Sequence, residues 1–188
     1  MGSFVAVFDA CVLYPAQMRD LLLRVAHTDL FKARWSAQIH DEWINALLRT
    51  RPELQARLQR TRELIDQSVP NCLVKGYEAH IEGVELPDAN DRHVLAVAIH
   101  CHAGVIVTAN LKDFPEHTLK PLGITAQHPD EFLSHVFDLS PGAVINAVRE
   151  MRTQLTKPPK SVDELLDDLL RAGLPNVVSL LSQSKDLL

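Results

Sequence analysis

A chain of 188 residues, 46% hydrophobic and 23% charged, is long enough for one substantial core with an appendage and has the composition of a folded globular protein, which excludes the disordered and fibrous classes. A formal net charge of −5 excludes a protein that holds nucleic acid by bulk electrostatics, so any such contact must be local. No apolar run approaches the roughly 18 residues of a membrane span and no secretory leader is visible, while the three cysteines, odd in number and without CxxC spacing, exclude a disulfide framework and a structural zinc site and point to a reducing, cytoplasmic setting.

Phe4–Phe8 is a short run of β-branched and aromatic residues without helical period, as in the buried strands of parallel sheets, and Asp9 ends it. After a loop, Pro15 opens a helical segment to about His27, with Met18, Leu21, Leu22 and Val25 at helical spacing. Arg34 and Trp35 end a short extended piece, and Ser36 is the expected N-cap of a helix through Ile39, Trp43, Ala46 and Leu47, which carries Glu42. A helix rich in arginine follows Pro52 to about Gln67, with a short strand at Cys72–Val74.

The turn-rich run Pro87-Asp88-Ala89-Asn90-Asp91 leads into a largely buried helix over Arg92–His102, closed by Gly104. Val105–Val107 is a strand followed directly by Thr108-Ala109-Asn110, Ile124–Gln127 is another, and Pro129-Asp130 opens the helix of Phe132 and Leu133. This alternation argues an α/β fold with a mostly parallel sheet over residues 1–138. Residues 139–188 differ in kind. They read as a C-terminal helical extension: a helix over Ala143–Leu155, a Lys157-Pro158-Pro159-Lys160 break, a capping box at Ser161–Glu164, and helices through Leu170 and around Val177–Leu181. Their apolar faces can dock on the core, form a dimer contact or receive another protein.

In open α/β sheets ligands bind beyond the carboxyl ends of the strands, beside the switch in strand order. Asp9 and the Thr108/Asn110 pair stand at such ends, and Glu42 and Asp91 lie on helices that can face the same edge. Clustered carboxylates repel one another and raise each other's pKa unless a cation compensates, and hard oxygen ligands select Mg2+ or Mn2+. Taken singly, each residue also has a plain structural reading: Asp9 as a turn or cap, Glu42 as a solvated helix residue, Asp91 as an N-cap, Asp88 as a turn former, Thr108 as a strand terminator, Arg92 and His93 as a solvated first-turn pair. The arginines Arg49, Arg51, Arg57, Arg60 and Arg62 can track a phosphate backbone, but with Glu53 and Glu63 between them they read better as solvated helix surface. His100-Cys101-His102 looks like a metal motif, but consecutive residues on a helix point in different directions and cannot chelate together.

The segments Phe8-Asp9-Ala10-Cys11-Val12-Leu13-Tyr14-Pro15, Leu86-Pro87-Asp88-Ala89-Asn90-Asp91-Arg92-His93-Val94-Leu95-Ala96 and Val107-Thr108-Ala109-Asn110-Leu111-Lys112-Asp113-Phe114-Pro115 resemble, in order and spacing, the PIN-domain family, and most of all its branch of VapC-type toxins from bacterial toxin–antitoxin pairs. The resemblance spans about residues 4–138. It implies a three-layer α/β/α sandwich and a Mg2+- or Mn2+-dependent endoribonuclease, with Asp9, Glu42 and Asp91 at the first three acidic positions. It also implies a hydroxyl from Thr108 at the edge of the metal site, with RNA as substrate and an antitoxin protein as partner; beside it, Asp88 can support Asp91, Arg92 and His93 can touch phosphate, and a second copy of the chain can pair through the C-terminal faces. Members often carry Asp two residues after the threonine. Here Asn110 stands in that place with Asp113 three residues on, which leaves open whether Asn110 is a neutral ligand, Asp113 substitutes for it, or one metal site is weak.

Two rivals remain in view. Phosphatases that form a phospho-aspartate need a second Asp two residues after the first, where this chain has Cys11, and no GxxxxGK[ST] phosphate loop is present. A non-catalytic PIN module for RNA or protein binding would need no acidic set, yet three such positions are filled.

Overall fold

A computed structural model describes residues 4–188. Its centre is β1 (Phe4–Phe8), whose Ala6, Val7 and Phe8 are wholly buried, as the apolar run demands of a strand covered on both faces. The chain then makes one helical turn, α1 (Ala10–Leu13), where a loop was expected, before α2 (Ala16–Ala26), which buries Met18, Leu21, Leu22 and Val25. The extended piece before Ser36 is a full strand, β2 (Phe31–Ser36). Its apolar residues Phe31, Ala33 and Trp35 are buried while Lys32 and Arg34 alternate with them, and those two charges hid the strand from a reading for apolar runs. Ser36 caps α3 (Ala37–Leu48) as expected, its hydroxyl accepting from the Ile39 N–H at 3.2 Å.

After Pro52, a 3-10 turn at Pro52–Leu54 leads into α4 (Gln55–Ser68); Arg51 ahead of it pairs with Glu53, and within it Arg60 pairs with Glu63 and Arg62 with Asp41 of α3 at 2.6 Å. β3 (Leu73–Val74) is followed by a six-residue 3-10 segment, Glu78–Gly83, that no periodicity announced. The next helix, α5 (Arg92–His100), is shorter than its pattern. It stops at His100 because Cys101 caps it and His102 adopts φ 53°, a left-handed conformation that no helix continues. β4 (Val105–Val107), the short α6 (Glu116–Leu119), β5 (Thr125–Gln127) and α7 (Pro129–Leu139) complete the α/β unit.

All strand pairs are parallel, in the order β3-β2-β1-β4-β5, so the sheet is parallel throughout rather than mostly so. Connections run from β1 outward to β2 and β3, then return to β4 and β5 on the other side. The order therefore reverses between β1 and β4, and a crevice opens there at the carboxyl ends. Helices flank this sheet, as the α/β sandwich requires. Phe132 of α7 locks one face, its ring 4.9 Å from Phe31 and edge-on to Phe4 and Phe8. Each wholly buried ring of this kind contributes roughly 1.5–3 kcal/mol from burial.

The C-terminal helices are α8 (Pro141–Gln154), α9 (Val162–Arg171) and α10 (Pro175–Ser182). Of the roles open to their apolar faces, docking on the chain's own core accounts for Val144, Val148, Met151, Leu165, Leu166 and Leu169, all buried, with α8 against α2 and α7 and α9 against α10 and α2. Leu170 remains about half exposed. The expected capping box is present at Ser161 and Glu164. Gly173, at φ 88°, turns the chain from α9 into α10 through a conformation that side chains resist. α10 has no cap of its own. The carboxylate of Asp130, in the first turn of α7, reaches across to accept from the N–H groups of Asn176 at 3.0 Å and Val177 at 2.9 Å. Asp130 is 4% exposed, so the two helices are joined by a buried charge against a helix N-terminus. Among the described residues no helix is long and apolar enough to cross a membrane.

Asp130→Ala leaves one buried and one part-buried N–H group without acceptors, and is expected to lower unfolding stability by about 1–3 kcal/mol in urea titration, more than Ser161→Ala at an exposed cap. Equal losses from the two variants would mean that α10 does not depend on the contact.

Candidate active site

Parallel register brings the ends of β1 and β4 side by side: Phe8 pairs with Val107, and the Asp9 N–H donates to the Val107 carbonyl at 3.1 Å. The next residue of each strand therefore meets the other. The Thr108 hydroxyl donates to Asp9 Oδ2 at 2.7 Å, and the Cys11 thiol donates to the same oxygen at 3.0 Å. Thr108 Oγ1 in turn accepts from the Asn110 N–H at 3.0 Å, and Cys11 Sγ from the Ala109 N–H at 3.3 Å. Asp9 heads α1 yet makes no side-chain cap there, so the capping reading fails and its carboxylate is committed to the crevice. Burial, and then the Asp9 charge, push the Cys11 thiol up to about 12, which keeps it a proton donor. Cys11 entered the sequence reading only through its failure to be aspartate. Its role as a hydrogen-bond partner depends on the turn of α1, which apolar periodicity does not reveal.

Asp91 stands at the head of α5, also without a side-chain cap. Asp88 does the local work instead, its Oδ1 accepting from the Asn90 N–H at 2.8 Å and shaping the turn. Freed from capping, Asp91 is raised from 3.8 to about 6, first by burial and then by the charges of Asp9, Asp88, Asp113 and Glu42. Its Oδ2 is buried without a hydrogen-bond partner. The acidic residues that the sequence scatters over more than a hundred positions thus act on one carboxylate.

Glu42 reaches this site from α3, half-buried rather than solvated, with Oε1 2.7 Å from Nε2 of His93. The oxygen lies off the ring N–H direction, so the contact is an ion-pair distance without an aligned hydrogen bond, and both ring nitrogens of His93 remain unbonded. His93 is 2% exposed, which corrects the expectation of a solvated first-turn pair: the ring is packed inside, against Glu42. Arg92 beside it is half-buried, with an unpaired Nε.

The two candidates for the fourth position are joined to each other, since the Asn110 side-chain amide donates to Asp113 Oδ2. A further buried relay lies behind α3. Trp43 Nε1 donates to His40 Nδ1 at 3.0 Å, and His40 Nε2 and Trp35 Nε1 both meet Asp66 Oδ1 at 2.9 Å. An Nδ1 that accepts requires the proton on Nε2, and burial, partly opposed by Asp66, lowers the His40 pKa and keeps the ring neutral. This relay fixes α3, and with it Glu42, against α4 and β2. Nothing in the linear sequence connects Asp66 to His40.

Among the described residues no three His, Cys, Asp or Glu side chains stand in an arrangement that chelates one ion. The donors nonetheless suit a hard divalent cation: they are carboxylate, hydroxyl and amide oxygens around a buried, unpartnered Asp91 Oδ2 and uncompensated negative charge. An apolar cleft of about 380 Å³ lined by Ala10, Cys11, Tyr14, Trp43 and Ala46 adjoins Glu42.

Comparison with known proteins bears on the same segments. A family profile described as "PIN domain" matches residues 5–112, and one described as "VapC50 C-terminal domain" matches residues 129–183. A curated relative from Mycobacterium tuberculosis (strain ATCC 25618 / H37Rv), named "Putative ribonuclease VapC50", is 47% identical over 79 residues, 42% of this chain and 47% of the relative. The alignment thus spans about half the length of that relative. No solved structure matches.

Because the folded-state pKa of Asp91 lies above its unfolded value, the stability from this group is full below about 3.8 and is lost as pH rises through about 6. In chelator, Asp91→Asn should therefore unfold at a higher temperature than the unsubstituted protein above pH 6, with the gap closing as pH falls toward 4. A gap independent of pH in thermal scans would show that Asp91 carries no such strain.

Proposed function

The chain belongs to the PIN-domain family, and on that footing we propose that it is a divalent-metal-dependent endoribonuclease, the toxin of a type II toxin–antitoxin pair. The observation that carries this reading is the convergence of the acidic residues on Asp91, whose Oδ2 is buried and unpaired at the β1/β4 switch. Mutual repulsion at such a point is relieved by a cation, and an all-oxygen set selects Mg2+ or Mn2+ over softer ions. Asp9, Glu42, Asp91 and Asp113 hold it in this proposal. When bound, such an ion lowers the pKa of a water and offsets charge on the oxygens of a phosphodiester in displacement.

The chain's own residues set the positions. Thr108 and Cys11 fix Asp9 Oδ2 by donating to it, which leaves Oδ1 outside these two bonds. The His93 ring packs against Glu42, and Asn110 holds Asp113 through its amide, so we assign Asp113 the fourth acidic role and Asn110 a supporting one. Asp88 shapes the turn that presents Asp91. Arg92 keeps the role of phosphate contact, while the enclosed His93 serves as a support. RNA is the proposed substrate, in keeping with the relative's printed description as a ribonuclease. An antitoxin protein and a second copy of the chain are the proposed partners. The proposed division is a nuclease unit over 1–138, the first three residues of which lie outside the described ones, and a helical extension over 139–188, with α7 as the seam.

Asp9→Asn and Asp91→Asn should each lower RNA cleavage by at least about a hundredfold, the scale on which one electrostatic stabiliser acts, with unfolding curves that remain cooperative. Cleavage should require Mg2+ or Mn2+ and stop in chelator. A folded wild-type protein that neither cleaves RNA nor binds Mg2+ in calorimetry is instead a binding module.

In Mg2+ titrations of the cleavage rate, Asp113→Asn should raise the half-maximal concentration severalfold, and Asn110→Asp should raise it too by replacing a donor with a repelling charge. An Asp113→Asn curve that matches wild type beside a lowered requirement in Asn110→Asp makes Asn110 the ligand.

A further inference from the structure

A second cavity, of about 560 Å³, lies away from the acidic crevice and is lined by His80, His100 and His102, with Ile99, Gly104 and Leu122 among the other walls. His80 comes from the 3-10 segment at Glu78–Gly83, and His100 ends α5. As their spacing predicted, His100, Cys101 and His102 do not chelate together, and no such three-residue group is present among the described residues. The helix stops at His100, and the left-handed backbone of His102 returns its side chain to the same cavity.

The rings of His80 and His100 have centroids 5.6 Å apart and are tilted by 59°. Two imidazoles on one ion, each with its nitrogen about 2.0–2.1 Å from the metal, place their ring centres roughly 5 Å apart at a tetrahedral angle. The ring of His100 lies beside Gly76, where an added Cβ would stand at ordinary contact distance, 3.7 Å from Cε1 and 3.8 Å from Nε2. We propose that His80 and His100 form a two-imidazole site for a borderline-soft divalent ion of the Zn2+, Ni2+ and Cu2+ class. Neutral imidazole suits these ions and is a poor ligand for Mg2+, whereas the carboxylates of the crevice suit Mg2+. The two sites stand at opposite ends of α5, whose nine residues span roughly 13 Å. A soft ion at His100 therefore binds apart from the ion at Asp91, and this proposal stands whether or not the chain cleaves RNA.

The test uses the full chain in excess Mg2+, which occupies the oxygen site and leaves the imidazoles free, with Zn2+ titrated by calorimetry. Wild type should take up one Zn2+, and His80→Gln and His100→Gln should each weaken uptake by more than about tenfold, since losing even an outer partner of a ligand costs that much. RNA cleavage in Mg2+ should not change in these variants. No uptake by wild type, or full uptake by the His80→Gln/His100→Gln double variant, overturns the proposal. If a variant shifts the metal-free unfolding midpoint, histidine ring signals in the wild-type nuclear magnetic resonance spectrum decide. Zn2+ must move those of His80 and His100 and leave those of His27 and His117 in place, and failure to move them overturns it.

Discussion

The hydroxyl of Thr108 on the carboxylate of Asp9, at 2.7 Å, is the interaction around which the site is organised. It exists because β1 and β4 are adjacent and parallel, and because each ends one residue short of the polar side chain that follows. A shift of one residue in that pairing would turn Asp9 to the other face of the sheet and separate it from Thr108. The register is held by apolar burial on both faces, where Val7, Phe8, Ile106 and Val107 are wholly enclosed. Core packing and site geometry are therefore one constraint: the hydrophobic effect supplies the alignment on which a short polar contact depends.

The crevice works against folding. Several carboxylates are drawn toward Asp91, whose own carboxyl is raised by burial and by their charges, and its Oδ2 finds no donor. Such strain persists only where the surrounding structure is over-determined. Here the supports lie outside the crevice: the Trp43–His40–Asp66 relay behind α3, the His93 ring beneath Glu42, and the Asx turn at Asp88. A cation reverses the sign of this cost, since the charges that repel one another become its ligands.

The C-terminal helices brace this frame from one side. α7 belongs to both parts, since Phe132 packs into the aromatic cluster under β1 and β2 while Asp130 caps α10. α8 and α9 lie on α2, the helix that follows the Asp9 turn. Arg19 of α2 also places its guanidinium 4.7 Å from the ring of Trp43 in α3 and donates to the Leu13 carbonyl, so the helices on this side share their contacts with the element that carries Glu42.

The sequence by itself determined what local chemistry can determine. The buried run of Phe4–Phe8, the Ser36 cap, the capping box at Ser161, the strand at Val105–Val107 and the three motif segments each carry their signal within a few neighbouring residues, and together they made the α/β class and the PIN resemblance legible. Where charged residues alternated with apolar ones, as in Phe31–Ser36, or where a helix was ended by backbone conformation rather than by composition, as at His100, the signal was absent and the boundaries moved. Only the tertiary structure decided which polar groups meet. Asp66 and His40 are 26 residues apart, Asp9 and Thr108 are 99 apart, and Asp130 and Val177 are 47 apart. The physical reason is that a hydrogen bond is set by distance and angle in space, while sequence pattern records only which face of its own element a residue occupies. Facing carboxylates become a cluster, and His80 and His100, twenty residues apart, become wall-mates of one cavity, only when the packing of separate elements fixes where those faces point.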